Sequence, residues 1–351
     1  MVTVVESEDR RHYRFEPATL EGKIGGVMKV MLTGGTGFIG GHLLKAVLTA
    51  GHDVRLLVRN QAKLEEMKII QNIGVDLDYV VGDMTNPSSV SEALAGCDAC
   101  IHAAAFTSLD PAVMGQALAV NGPGAELILD TAVDMGCDPV IHVSTMSVIF
   151  PPTGDMLSGS DPVQGGGNPY NASKAIAEEH ARTMQAAGAP VKIVYPAGVT
   201  GPIDLGLNVL AANLAPTLQS EIMMSLASGG WCLVDVRDLA TAITGLLSPG
   251  SGPQRYVAGG TFMDWGEFHA IITEVTGRDR ALLPTPREAL EQMVDPEAVE
   301  IMLGVVPGDD AGLLKDSGLG TWRPVEETLR DTVAWLIKHG HLEEEWAPNC
   351  C

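Results

Sequence analysis

The stretch Lys29-Val30-Met31-Leu32-Thr33-Gly34-Gly35-Thr36-Gly37-Phe38-Ile39-Gly40 governs how the rest of the chain reads. An apolar run enters a glycine-rich turn, and Gly41-His42-Leu43-Leu44-Lys45-Ala46-Val47-Leu48 continues as an amphipathic helix. Strand, turn and helix in that order make the opening unit of a βαβ dinucleotide site. Gly34 permits the tight turn, Gly37 lets the backbone approach a pyrophosphate, and Gly40 lets the helix sit close to the strand. The loop of Thr36, Phe38 and Ile39 then presents helix N–H groups and the helix dipole to the phosphates. Glycine clusters also make ordinary loops; the flanking strand and helix patterns make that reading the poorer one.

Outward from this unit, Asp53-Val54-Arg55-Leu56-Leu57-Val58-Arg59 is a second strand ending in a cation. An acid at that place would accept the ribose 2′-hydroxyl. Arg59, with Lys63 one helical turn further on, suits a 2′-phosphate instead, so NADP(H) is expected in preference to NAD(H). The competing reading is a solvated arginine that opens a helix. Leu77-Asp78-Tyr79-Val80-Val81-Gly82-Asp83 is a third strand, bringing Asp83 and Met84 to the carboxyl edge of a sheet. In Cys100-Ile101-His102-Ala103-Ala104-Ala105 the small alanines let a cofactor lie over the strand end, and His102 reads as a packed, hydrogen-bonded histidine. A helical pattern runs through Asn121 to Leu129, and Val140-Ile141-His142-Val143-Ser144-Thr145 is strand five. Alternation at this spacing predicts an α/β fold: a doubly wound parallel sheet with right-handed crossovers.

Pro151 to Pro169 holds Gly154, Gly159 and Gly165-Gly166-Gly167, which predicts an irregular, mobile flap beside the site. It ends at Tyr170-Asn171-Ala172-Ser173-Lys174, which opens a helix through Ala187. Tyr170 and Lys174, at i and i+4, share one helix face. Such pairs are common by chance, but this one falls between the hydroxyls of Ser144 and Thr145 and the next strand.

With 351 residues the chain has room for one large α/β domain with a substantial lobe. Hydrophobic residues make up 46% without a run long enough for a bilayer, so no membrane insertion is expected. Met1 to Lys23 is rich in charge and lacks the apolar centre of a secretory signal, which makes a cytoplasmic location the default. Residues 1–27 are expected to be a flexible extension, since the fold begins near Met28. A net charge of −22 argues against a nucleic-acid partner. Cys97 and Cys100 form a lone C-x-x-C without a second pair, so buried thiols are expected and no metal site. Cys350-Cys351, with no polybasic segment before it, reads as a disordered tail within residues 346–351.

Taken together, the chain resembles the extended branch of the short-chain dehydrogenase/reductases, the NAD(P)-dependent epimerase/dehydratase superfamily. The resemblance spans roughly residues 28–340 in order. Its glycine motif matches Thr33 to Gly40, its adenine-side acid Asp83, and its strand-four motif His102-Ala103-Ala104. Its Tyr-x-x-x-Lys matches Tyr170 and Lys174. Val191 to Pro202 resembles its nicotinamide-side strand and loop, with Pro196 and Val199 toward the cofactor, and Val234 to Ala240 its later helix-opening motif. Asn121 is assigned to the cofactor side on the same ground. Two departures stand out. Thr145 takes the place of the family's catalytic Ser, with Ser144 one residue away as the alternative. Tyr195 stands where many members have Arg, as in the dihydroflavonol-reductase-like and 3β-hydroxysteroid-dehydrogenase-like group.

The resemblance implies a Rossmann domain over 28–200 and a smaller, mostly helical substrate lobe over 201–345, with elements near 232–258 returning to the sheet. It implies an oxidoreductase in which Tyr170 is the general acid/base, Thr145 holds the substrate oxygen and Lys174 binds the nicotinamide ribose. The charges of Lys174 and of the oxidised cofactor are expected to lower the phenol below its ordinary pKa of ~10. A homodimer through the Tyr170 helix is implied too, with Ala172, Ala175, Ala177 and Ala181 leaving that helix small-sided. Two alternatives compete: a nucleotide-sugar epimerase or dehydratase, and a non-catalytic dinucleotide sensor. From Pro202 to Val236 there is no Lys or Arg, while Ile203, Leu205, Leu207, Leu210, Met223, Met224 and Trp231 supply apolar surface. A sugar diphosphate needs cations; Arg237, Arg280 and Arg287 are the nearby candidates. The expected substrate is therefore a small apolar ketone or aldehyde, or the corresponding alcohol.

Overall fold

The structure, a computed structural model, describes residues 26–107, 115–252, 254–294 and 296–350. The extension expected over 1–27 lies outside these for all but its last two residues.

β1 (Lys29–Thr33), α1 (Phe38–Thr49), β2 (Asp53–Val58), α2 (Gln61–Ile70), β3 (Asp78–Val81), α3 (Pro87–Leu94) and β4 (Ala99–His102) alternate along the first half. α4 (Gln116–Asp134), β5 (Val140–Val143), α5 (Pro169–Ala186) and β6 (Val191–Pro196) continue the pattern. The main sheet has the order β10-β6-β5-β4-β1-β2-β3, with β10 (Gln254–Ala258) returning late in the chain to its edge. Every pair in it is parallel. Strand order reverses between β1 and β4, and a crevice at such a reversal, outside the carboxyl ends of the strands, is where open α/β sheets bind ligands.

A parallel strand covered by helices on both faces is apolar throughout rather than alternating, and β1 shows why. Val30 and Leu32 enter one core with Leu43, Leu44 and Val47 of α1, whereas Met31 enters the other with Ile128 and Leu129 of α4. The second core also takes Cys97, Cys100 and Cys137 as buried free thiols. Ala175, Ala177 and Ala181 of α5 are buried within the chain, so the small side of that helix is used in internal packing.

The second half builds a lobe from β7 (Gly198–Thr200), α6 (Val209–Leu218), β8 (Ile222–Ser225) and β9 (Gly230–Asp235), while Leu239 and Ile243 of α7 (Val236–Gly245) return to the first core. It continues with β11 (Thr261–Asp264), α8 (Trp265–Thr276), β12 (Ala281–Pro284), α9 (Arg287–Leu290), α10 (Pro296–Leu303), α11 (Ala311–Ser317) and α12 (Val325–Lys338). Leu214, Leu218, Phe268, Ile272, Leu329 and Leu336 form its core. α8 starts at Trp265, because Asp264 and Glu267 form a capping box there and the preceding residues pair with β9 as a strand. No helix among the described residues is long and apolar enough to cross a membrane.

Two expectations are corrected. The segment after β5 is irregular as expected but fastened down: Leu157 bridges to Gly308, and the Asp161 carboxylate accepts Thr153 N–H at 2.8 Å, Thr153 Oγ1 at 2.6 Å and Ser158 N–H at 2.8 Å. The tail is not disordered up to Cys350. Ala347 is buried and Cys350 Sγ donates to the Val275 carbonyl at 3.2 Å, because the lobe core extends under this turn. Cys351 lies outside the described residues.

Candidate functional site

The phosphate turn is as close-fitting as its glycines require. Gly34 has φ 80°, and a Cβ there would lie 2.8 Å from the Ala103 carbonyl carbon and the Ala104 nitrogen. At Gly40 a Cβ would lie 1.9 Å from the Gly34 oxygen. Gly37 caps α1 with no side-chain hydrogen bond, so the first-turn N–H groups stay available to an anion. A bare backbone cradle at a helix N-terminus fits a dinucleotide pyrophosphate. Thr33 Oγ1 pairs with His102 Nδ1 at 2.8 Å and accepts the Ala104 N–H at 3.1 Å, which sets the exit of β4 beside the turn. His102 is thus the packed residue expected.

At the ends of β2 and β3, Arg59 and Lys63 are exposed and make no ion pair among the described residues, while Asn60 caps α2 through the Ala62 N–H at 2.9 Å. Asp83 accepts Thr85 Oγ1 at 2.6 Å and Thr85 N–H at 2.9 Å. These bonds, followed by the nearby Arg59 charge, hold its carboxyl below the usual range. Met84 packs over Gly124 of α4 instead of standing free in the crevice. Asn121 holds backbone: it accepts Phe106 N–H at 2.6 Å and donates to Phe106 O at 3.0 Å and to Ser173 Oγ at 2.9 Å. Ser173 in turn donates to the Tyr170 carbonyl at 2.6 Å, so Asn121 ties the loop after β4 to the first turn of α5.

Lys174 anchors the Tyr170 helix at the carboxyl end of β5. Lys174, 4% exposed, donates from Nζ to the Val143 carbonyl at 2.8 Å. Burial draws its ammonium down to about 8, with Glu178 acting to raise it. Tyr170 is half-buried, and burial pushes its phenol up to about 12. The expected lowering draws on the charge of a bound oxidised cofactor as well as on Lys174; in the chain alone desolvation decides the shift. Of the two hydroxyls after β5, Ser144 is 6% exposed and its Oγ has no partner among the described residues, whereas Thr145 is half-buried. Thr145 caps a short turn at Met146–Ile149, accepting Ser147 N–H at 3.3 Å, with its Oγ1 3.1 Å from Ser147 Oγ. Ser147 Oγ donates to Asn171 Oδ1 at 2.8 Å, joining that turn to α5 beside Tyr170. Sequence reasoning missed Ser147 and Asn171; their adjacency to Thr145 and Tyr170 was the only signal. Pro196 closes β6, and Val199 packs from β7 onto the first core.

The loop after β7 is latched from α1. His42 Nε2 lies 3.0 Å from Pro202 O and 3.1 Å from Ile203 O, and Ile203 has φ 66°, a left-handed conformation unfavourable for a β-branched residue.

A switch-point crevice with an open helix N-terminus, a Tyr/Lys pair on one helix and a hydroxyl at the neighbouring strand end defines a dinucleotide-dependent α/β enzyme class. The chain belongs to the NAD dependent epimerase/dehydratase family, whose profile matches residues 30–259, and it is an extended short-chain dehydrogenase/reductase. It is 25% identical over 339 residues to sterol demethylase protein B of Methylococcus capsulatus, covering 90% of this chain and 100% of that one. It is also 25% identical over 343 residues to a putative dihydroflavonol 4-reductase of Synechocystis, covering 90% and 96% respectively. In fold it resembles UDP-glucose-4-epimerase of Stenotrophomonas maltophila, solved with bound NAD, with TM-score 0.75, 19% identity and coverage of 89% and 99%.

Proposed function

We propose that this protein is an NADP(H)-dependent reductase of apolar ketones or aldehydes, or a dehydrogenase of the corresponding alcohols. The observation that carries this reading is the fate of the three cations that the sequence offers for a sugar diphosphate. Arg237 is held by Asp235 at 2.6 Å and Asp331 at 2.5 Å. Arg280, 5% exposed, donates to the carbonyls of Leu218 at 2.7 Å and Trp346 at 3.1 Å. Arg287 pairs with Glu291 at 2.8 Å and also with Glu300. All three have partners within the chain, so none of them stands free for a sugar diphosphate. Of the apolar residues between Pro202 and Val236, Leu214, Leu218, Met223 and Leu226 are core, while Leu207, Val209, Ile222 and Met224 keep exposed surface. The names of two relatives matched over nearly their whole length, sterol demethylase protein B and a putative dihydroflavonol 4-reductase, support a similar substrate class.

The first turn of α1 would hold the pyrophosphate, Asp83 the adenine side and Arg59 with Lys63 a 2′-phosphate. When bound, the dinucleotide supplies or accepts the hydride. Tyr170 delivers its proton from Oη to the carbonyl oxygen in reduction; a phenol that burial keeps protonated is suited to that role. Thr145 Oγ1 orients the same oxygen by a hydrogen bond. Lys174 stabilises the phenolate left behind, and its bond to Val143 fixes the reach of its ammonium.

A screen of apolar carbonyls and alcohols with both nicotinamide cofactors tests this reading. NADPH oxidation is expected with at least one apolar carbonyl, or the reverse with its alcohol. UDP- and dTDP-sugars should neither turn over nor compete, and tight binding of one of them would replace this reading with the epimerase one.

A further inference from the structure

α5 carries a buried acid that the Tyr170–Lys174 chemistry leaves unused. Glu178 lies one turn beyond Lys174, at i+4 on the same helix face, and is 0% exposed. Its Oε1 accepts the Tyr195 hydroxyl at 2.5 Å and Arg182 Nε at 2.7 Å. Its Oε2 is buried without a hydrogen-bond partner among the described residues. Arg182 continues from Nη2 to Tyr195 Oη at 3.0 Å and from Nη1 to the Asp161 carbonyl at 2.8 Å, the anchor of the loop after β5. A buried carboxylate must find cationic compensation. Two cations stand near it: Arg182 in contact on one oxygen, and Lys174 a turn away.

We propose that Glu178 is a positioning residue that keeps Lys174 charged, and that Arg182 and Tyr195 limit how much of its negative charge reaches the site. The inference rests on the reading of Tyr170 and Lys174 as the catalytic pair. Burial strips Lys174 of solvation and draws it down to about 8, and Glu178 is the group that acts against this. The other titratable groups around Lys174 cannot replace it. His102 on β4 and His142 on β5 stack with ring centroids 5.5 Å apart, and burial keeps both neutral, His102 down to about 3 and His142 well below the ordinary range. Tyr170 on α5 is held protonated by burial, and His180 on α5 faces Asp130 at 2.7 Å. Around Glu178 itself stand Arg182 on the same helix and Tyr195 on β6, whose hydroxyl burial and the carboxylate together hold protonated. Arg182, at i+4 from Glu178, supplies the guanidinium from the helix, and Tyr195 supplies only a hydrogen bond.

The titration of Lys174 in the full chain, followed by NMR on protein labelled in lysine at 13Cε and 15Nζ, tests this directly. Its resonance is identified by its loss in Lys174→Met. In Glu178→Gln the midpoint should fall by about one pH unit, the size expected on losing one nearby opposite charge. In Arg182→Gln, with the acid released from its partner, the midpoint should rise. A fall in Glu178→Gln supports the inference even if no carbonyl is ever turned over, an outcome that would remove the reductase reading alone. An unmoved midpoint in a folded Glu178→Gln protein overturns the inference whatever the enzyme does. Should Glu178→Gln not fold, Arg182→Gln decides: a rise supports the inference and its absence overturns it. With a substrate in hand, the alkaline limb of the kcat/KM profile should move the same way in each variant, which a merely structural role would not produce.

Discussion

The ammonium of Lys174 donates to the carbonyl of Val143 across 2.8 Å, pinning the first turns of α5 to the last residue of β5. One bond thereby fixes the helix that bears Tyr170 against the strand end that leads into Thr145. Loss of Tyr170 and loss of Lys174 should therefore have different consequences. Tyr170→Phe removes a hydroxyl and no packing, so cofactor affinity should stay within about twofold while turnover falls about 10²–10⁴-fold. Lys174→Ala should weaken both. Fluorescence titration beside steady-state kinetics checks this, and a Tyr170→Phe enzyme with parental turnover would end the proposed role.

Arg59 is exposed and free of ion pairs among the described residues, ready for an added phosphate. NADPH should bind more tightly than NADH, and Arg59→Ala should remove most of the difference, an effect of about 1.5–3 kcal/mol for a charge-assisted bond. Equal affinities in the parent protein would defeat this assignment.

Gly40→Ala should damage stability and cofactor binding together. The added carbon would meet the Gly34 oxygen at 1.9 Å, a backbone atom in the phosphate turn that cannot swing aside. A cost at or beyond the upper end of about 1–3 kcal/mol for overpacking is expected. Urea unfolding and cofactor titration measure the two losses, and an alanine variant with parental values in both would contradict the role given to this residue.

Acid should unfold the protein through its buried histidines. Burial lowers His42 from 6.5 to about 4 and His102 to about 3, and holds His142 well below the ordinary range. The unfolded chain takes up these protons near pH 6.5 while the folded chain refuses them. Stability is therefore complete above that pH and declines as the pH drops from 6.5 toward 4, by up to about 1.4 kcal/mol per pH unit for each histidine. Both ring nitrogens of His142 lack partners among the described residues, so His142→Phe should shallow the decline without loss at neutral pH. Melting temperatures at pH 7, 6 and 5 report it, and an unchanged slope would exclude His142 as a contributor.

What the sequence determined by itself is everything that depends on neighbours along the chain. The apolar run of β1, the glycine turn, the helix behind it and the i, i+4 spacing of Tyr170 and Lys174 are local, because backbone sterics and helical periodicity act over a few residues. The order of such units was enough for a parallel doubly wound sheet, since right-handed crossovers leave few ways to stack them. Contacts across the chain carry no such signature. His42 reaches Pro202 across 160 positions, and Asn121 meets Ser173 across 52. The different burial of Thr145 and Ser144, the anchoring of the segment around Asp161 and the packing of Cys350 under the lobe were likewise decided only by tertiary structure. So was the upward shift of Tyr170, because desolvation is set by whatever the fold brings alongside, and no local pattern of residues encodes that distance.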